Sequence, residues 1–190
     1  MGALNTAASQ GIIAVAAVRE LASDALLSEL RSKRDASVLL LDRISDPGNL
    51  GTIFRSAAWF GVNGIYIAAG SVDVYNPKVV RSAMAAICQL DVAQDVILKD
   101  EITKLKSAGF GVIGSSQDAE LSYADYKYPS RSAVVFGSEA AGIDAGVLPL
   151  CDALVGIPRV GKMESLNVGV AASIVLSEMA RRKVTGRHES

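Results

Sequence analysis

Val38-Leu39-Leu40-Leu41-Asp42-Arg43-Ile44-Ser45-Asp46-Pro47-Gly48-Asn49-Leu50-Gly51-Thr52-Ile53-Phe54-Arg55 is the stretch that decides the fold. It opens on an unbroken aliphatic run, the mark of a strand buried on both faces, as in a parallel sheet. Pro47 and Gly48 then break the chain, and a helix follows with Asn49 as its expected N-cap. Similar short apolar runs recur at Ile65–Ala68, Phe110–Ile113, Ala133–Phe136 and Ala153–Ile157. Helical stretches lie between them, at roughly 50–60, 77–87, 100–108 and 167–183. Ahead of the first strand, residues 20–33 set Leu21, Leu26, Leu27 and Leu30 among charged residues, as in an amphipathic helix. Strand and helix alternate, so the expected class is α/β, a mainly parallel sheet flanked by helices.

The chain has 190 residues, 50% hydrophobic and 21% charged, which suits one globular domain with a substantial core. Its net charge is −1. A dedicated nucleic-acid binder is usually basic, so any such role must rest on local clusters. The only histidine, His188, sits in the tail, and Cys88 and Cys151 lie far apart. A histidine-based triad and a zinc site are thereby excluded, and no metal is expected. The cysteines read as buried free thiols in a reducing cytoplasm. No run reaches the length of a membrane span. Gly11–Val18 lacks the basic flank of a signal peptide. Residues 1–10 read as a flexible lead-in, Ile12–Val18 as a strand or extended arm, and 181–190 as a basic, then polar, tail.

Gly109-Phe110-Gly111-Val112-Ile113-Gly114 matches a dinucleotide-binding fingerprint. That mechanism needs the glycines after a strand and at a helix start. Here a helical segment, Glu101–Ala108, precedes them and the strand runs through them. Gly109 reads instead as the left-handed residue that ends a helix.

Three loops carry the chemistry. The first is Asp46–Arg55. The second, Gly137-Ser138-Glu139-Ala140-Ala141-Gly142-Ile143, follows the strand Ala133–Phe136, with glycines that let a ligand approach the backbone. The third, Ile157-Pro158-Arg159-Val160-Gly161-Lys162-Met163-Glu164-Ser165-Leu166-Asn167, leads into the last helix, for which Ser165 or Asn167 is the expected cap. All three occupy the carboxyl end of the predicted sheet, where open parallel sheets bind ligands.

With those loops in view, the sequence resembles the SpoU family of the SPOUT RNA methyltransferases. The pattern N-x-G-x-x-x-R is met by Asn49, Gly51 and Arg55. The pattern G-x-E-x-x-G is met by Gly137, Glu139 and Gly142. The pattern I-P-x-x-G-x-x-x-S-L-N is met by Ile157, Pro158, Gly161, Ser165, Leu166 and Asn167. Asp73–Arg81 further resembles the ribosomal-RNA branch of the family, which includes antibiotic-resistance enzymes. Ala85 departs from that branch, in which many members carry glycine.

The resemblance implies a deep trefoil knot near the C-terminus, which contradicts the general rule that chains do not thread loops. It also implies a homodimer with each active site near the interface. The implied cofactor is S-adenosyl-L-methionine, held by Gly137, Ser138, Gly142, Ile157, Pro158 and Leu166. Asn49, Arg55, Glu139, Ser165 and Asn167 would line the reaction centre, with Arg55 the principal arginine. The implied reaction is methylation of a ribose 2′-hydroxyl of RNA, ribosomal RNA before transfer RNA. Lys78, Arg81, Arg159 and Lys162 would contact RNA, and Trp59 would serve core or dimer packing. Residues 19–190 would form the methyltransferase domain and 1–18 the remnant of a linker. The separate N-terminal RNA-binding domain usual in the family is expected to be absent. A catalytically silent knotted RNA-binding module is the alternative.

Overall fold

The structure, a computed structural model, describes residues 21–186. In chain order the elements are α1 (Ser23–Arg31), β1 (Ala36–Asp42), α2 (Pro47–Trp59), β2 (Gly64–Ala68), α3 (Pro77–Ala83) and a 3-10 turn (Met84–Cys88). Then come β3 (Val92–Val96), α4 (Leu98–Ser107), β4 (Gly111–Ser115), β5 (Arg131–Gly137), a second 3-10 turn (Leu148–Leu150), β6 (Ala153–Val155) and α5 (Val168–Gly186).

The six strands form one sheet in the order β3-β2-β1-β5-β4-β6, and every neighbouring pair is parallel. β1 lies at its centre with all seven residues buried. Its side chains alternate between two cores. Leu39 and Leu41 pack with Ile53 and Phe54 of α2, Val79 of α3 and Val175 of α5. Val38 and Leu40 pack with Leu26 and Leu30 of α1 and Ile102 and Leu105 of α4. Helices therefore cover both faces, which is why β1 and β5 carry near-continuous apolar sequence.

Chain order from β1 runs outward through β2 and β3, whereas β5 is followed by β6 on the opposite side. The connections leaving β1 and β5 thus diverge at their carboxyl ends, the position at which open parallel sheets bind ligands.

Several expectations are corrected. β3 is a strand that periodicity does not reveal: only Ala93 is buried, and Asp95 takes a left-handed φ of +56°. α2 begins three residues before the predicted start, with Asp46 as its cap and Pro47 in its first turn. The stretch 77–87 is divided, because Met84 has φ +53° and cannot continue α3. The unusual backbone thus falls at Met84, one residue before Ala85. The last strand stops at Val155, short of Ile157. Cys88 is exposed and Cys151 half-buried, so neither is a fully buried thiol. Trp59 is 84% exposed and is not part of the core. Gly109 has φ +83° directly after α4, and β4 begins at Gly111, which removes the dinucleotide reading. Residues 1–20 and 187–190, with the expected arm Ile12–Val18, lie outside the described residues.

Candidate active site at the carboxyl edge of the sheet

The first loop is organised by its cap. The Asp46 carboxylate accepts the Asn49 main-chain N–H at 2.8 Å. Asp46 satisfies that helix-end donor, and the Asn49 side chain is left to bond with Glu139 and Asn167. A residue read as a cap is therefore a first-turn residue carrying a side-chain amide to the site.

The second loop folds back on itself. Gly142, at φ +66°, donates its N–H to the Ser138 carbonyl at 2.8 Å, and the Ala141 N–H reaches Ser138 Oγ at 3.1 Å. A Cβ on Gly137 would stand 2.1 Å from the Gly142 carbonyl carbon. Glycine is needed there by the loop's own backbone rather than by an approaching ligand. Glu139 projects from the exposed tip, and its carboxylate accepts a hydrogen bond from Asn49 Nδ2.

The third loop supplies the remaining link. Of the two expected caps for α5, Asn167 is the one used: its Oδ1 accepts the Val170 N–H at 3.2 Å. Asn167 Nδ2 donates to Asn49 Oδ1 at 2.8 Å. The bonds form a directed chain, from the α5 backbone to Asn167, then Asn49, then Glu139. Each amide is fixed in orientation, because its oxygen accepts on one side and its nitrogen donates on the other. α2 and α5 are further joined by Ser56 Oγ and Ser173 Oγ, 2.6 Å apart.

Residues 158–167 are exposed, and no main-chain N–H from 157 to 166 meets a main-chain carbonyl among the described residues. Arg159 braces this loop from within, reaching the carbonyls of Met163 at 3.3 Å and Glu164 at 3.5 Å. Ile157 packs partly against the core, whereas Pro158, Ser165 and Leu166 are exposed. Lys162 is also exposed.

Arg55 lies six residues beyond Asn49 on α2, about 9 Å along the axis. It is exposed and forms no hydrogen bond or ion pair among the described residues. On α3, Lys78 pairs with Asp46 at 3.7 Å and Arg81 is exposed in the last turn. α3 packs against the first loop at Ser82, whose Oγ lies 3.1 Å from the Pro47 carbonyl and has a nearer acceptor, at 2.8 Å, in the Lys78 carbonyl of its own helix.

Sequence reasoning passed over Asp42. It is buried at the end of β1, paired in register with Gly137, and its carboxylate accepts the Asp144 N–H at 2.6 Å. An acidic residue directly after the buried apolar run Val38–Leu41 was the available signal.

Residues 36–177 match the model of the SpoU rRNA Methylase family. The chain is 38% identical over 145 residues to an uncharacterised tRNA/rRNA methyltransferase from Synechocystis, covering 76% of this chain and 53% of that protein. It is 32% identical over 178 residues to a 23S rRNA (uridine(2479)-2′-O)-methyltransferase from Streptomyces viridochromogenes, covering 91% of this chain and 62% of that one. The crystal structure of the SpoU methyltransferase AviRb from the same organism, in complex with AdoMet, superposes with a TM-score of 0.74 at 30% identity. That likeness covers 80% of this chain and 59% of AviRb. This chain thus spans between about half and two thirds of the length of each of these proteins. With the three motif loops joined at one sheet edge and the family model matched from β1 into α5, the chain belongs to the SpoU rRNA methylase family.

Proposed function

We propose that this chain transfers a methyl group from S-adenosyl-L-methionine to a ribose 2′-hydroxyl of RNA, ribosomal RNA before transfer RNA. The observation that carries the proposal is the chain Asn167–Asn49–Glu139, which joins the three motif loops where the sheet's connections diverge.

The residues present fit the cofactor. The unengaged main-chain groups of 157–166 offer donors and acceptors to a nucleoside, beside the tight turn Gly137–Gly142. Gly137, Ser138, Gly142, Ile157, Pro158 and Leu166 are the residues we assign to hold it. When bound, it supplies a methyl group on a sulfonium, already activated towards an oxygen nucleophile.

The protein's share is alignment and charge. Holding hydroxyl and methyl donor in line is worth roughly 7–11 kcal/mol. The bonds from Asn49 to Glu139 and Asn167 keep the loops in one arrangement, with Ser165 beside them in sequence. Arg55 cannot serve as a base, because guanidinium stays charged at any ordinary pH. Its assigned role is to grip the target phosphate and stabilise negative charge developing on the ribose oxygen, whose proton passes to solvent as the methyl–sulfur bond breaks and the neutral thioether S-adenosyl-L-homocysteine leaves. Lys78, Arg81, Arg159 and Lys162 add phosphate contacts, which give affinity without sequence choice.

We assign residues 19–190 as the methyltransferase unit and the cytoplasm as its compartment. A trefoil knot at the C-terminal end is part of the proposal. It is supported by the bonds that bracket Gly156 within the β4–β5 loop: its N–H donates to Leu121 at 2.8 Å, and its carbonyl accepts from Tyr123 at 2.9 Å. A homodimer is supported by large apolar side chains left exposed on α2, α5 and the third loop, among them Trp59, Val160, Met163 and Val170.

The test is incubation with labelled S-adenosyl-L-methionine and RNA, followed by mass spectrometry of the nucleosides. A 2′-O-methylated nucleoside is expected, and methylation on a base alone, or none, would overturn the reading. Arg55→Ala should lower turnover by about 10²–10³-fold. Cofactor affinity, measured by calorimetry, should stay unchanged.

A further inference from the structure

Asp42 and Arg43 lie outside the stretches so far given a role, yet two of the site's loops meet on them. The Asp42 side chain is only 5% exposed. Its Oδ2 accepts the Asp144 main-chain N–H at 2.6 Å and Arg43 Nη2 at 3.2 Å, and its Oδ1 accepts Arg43 Nε at 2.9 Å. Asp144 closes the loop that carries Glu139. Arg43 opens the loop that leads to Asn49. Arg43 takes φ +56°, a region uncommon for residues with a side chain. Its guanidinium also lies 3.7 Å from the Asp144 carboxylate.

A buried carboxylate is tolerated only while its oxygens are supplied with donors. Here those donors come from both loops. Neither loop can shift without stranding the charge, so the two are held in one arrangement at their roots. Glu139 and Asn49, which meet at the tips, inherit that arrangement. We propose that Asp42, with Arg43, is a positioning residue that sets the contact between Glu139 and Asn49 and thereby the geometry of methyl transfer. Its kinetic consequence rests on the methyltransferase reading above. Its hold on the loops does not.

Asp42→Asn keeps the shape but replaces one acceptor by an N–H that faces other donors. Arg43→Gly removes the guanidinium and suits the left-handed backbone, so it keeps the fold should Asp42→Asn not. Hydrogen exchange is the first readout. The Asp144 amide and the 138–143 loop should exchange about tenfold faster or more in Asp42→Asn, and faster in Arg43→Gly, while β1 and β5 amides keep their protection. Steady-state kinetics is the second. kcat should fall by about tenfold or more. The KM for RNA should change less than kcat, because Arg81 on α3 and Arg159 and Lys162 on the third loop make no bond to Asp42 or Arg43 among the described residues. Unchanged exchange in both variants overturns the proposal, as does faster exchange with an unchanged kcat. A wild-type protein without methyl transfer sinks the functional reading instead, and exchange alone then decides whether Asp42 holds the loops.

Discussion

Glu178, on α5, is gripped by Arg181 at 2.8 Å and Arg182 at 2.6 Å. Hydrogen bonds from Arg181 and then Arg182 pull its carboxyl from the ordinary 4.5 down to about 2. Arg182 also donates to the Ala124 carbonyl and lies 5.9 Å from the Tyr128 ring centre, so the cluster fastens α5 to the β4–β5 loop. The sign follows from the lowered value: the stabilisation is complete above the unfolded pKa and is lost as pH falls from there towards about 2. Glu178→Gln should therefore be less stable than wild type near neutrality, with a gap that narrows between about pH 5 and pH 3. Urea titrations across that range measure the gap, and one that stayed constant would place the stabilisation elsewhere. Single residues also show what sequence can convey about the site. Asn49, Glu139 and Asn167 were recognisable by type and order, and the structure joins them. That Asn49 is not a cap was harder to read, since Asp46 and Pro47 offer an equally good start one turn earlier. The bond from Asp144 to Asp42 spans 102 residues, and no local pattern encodes such a pairing.

Between elements, the closest approach that matters is α2 against α3. A Cβ on Gly51 would stand 1.9 Å from Ser82 Oγ and 2.8 Å from the Ala83 main-chain nitrogen. The second of these is backbone and cannot swing aside. Gly51→Ala should cost roughly 1–3 kcal/mol through overpacking. At this chain length that lowers Tm by roughly 2–4 °C per kcal/mol, which calorimetry resolves. α3 would be pushed outward, carrying Lys78 and Arg81 with it, so RNA affinity should weaken in the same variant. An unchanged Tm would mean that α3 yields to the added methyl group without cost. The elements differ in how plainly their sequence announces them. β1 and β5 are buried on both faces, and unbroken apolar runs reveal them. β3 lies at the edge of the sheet, alternates weakly and is bent at Asp95, so neither period nor composition marks it. The division of α3 at Met84 has no glycine or proline to signal it.

For the whole molecule, the sole tryptophan is a built-in reporter of the proposed homodimer. Trp59 is 84% exposed on a single chain. If the exposed face of α2 is an interface, its fluorescence should be blue-shifted at high concentration and move to the red on dilution. Sedimentation velocity should show dissociation over the same range. A fixed red emission alongside a stable dimer would move the interface elsewhere. The span of the central amide chain has a further consequence. Asn49 must find Glu139 across 90 residues and Asn167 across 118. Closing such intervals is entropically costly and slow, and the β1–β5 pairing, from Ala36 with Arg131 to Asp42 with Gly137, already closes the first of them. Once β1 and β5 are paired, the roots of Asn49 and Glu139 are together, and only the link from Asn167, at the head of α5, is outstanding. Ligand binding during refolding should accordingly lag behind recovery of the far-ultraviolet dichroism, by the time that the Asn167–Asn49 link takes to close.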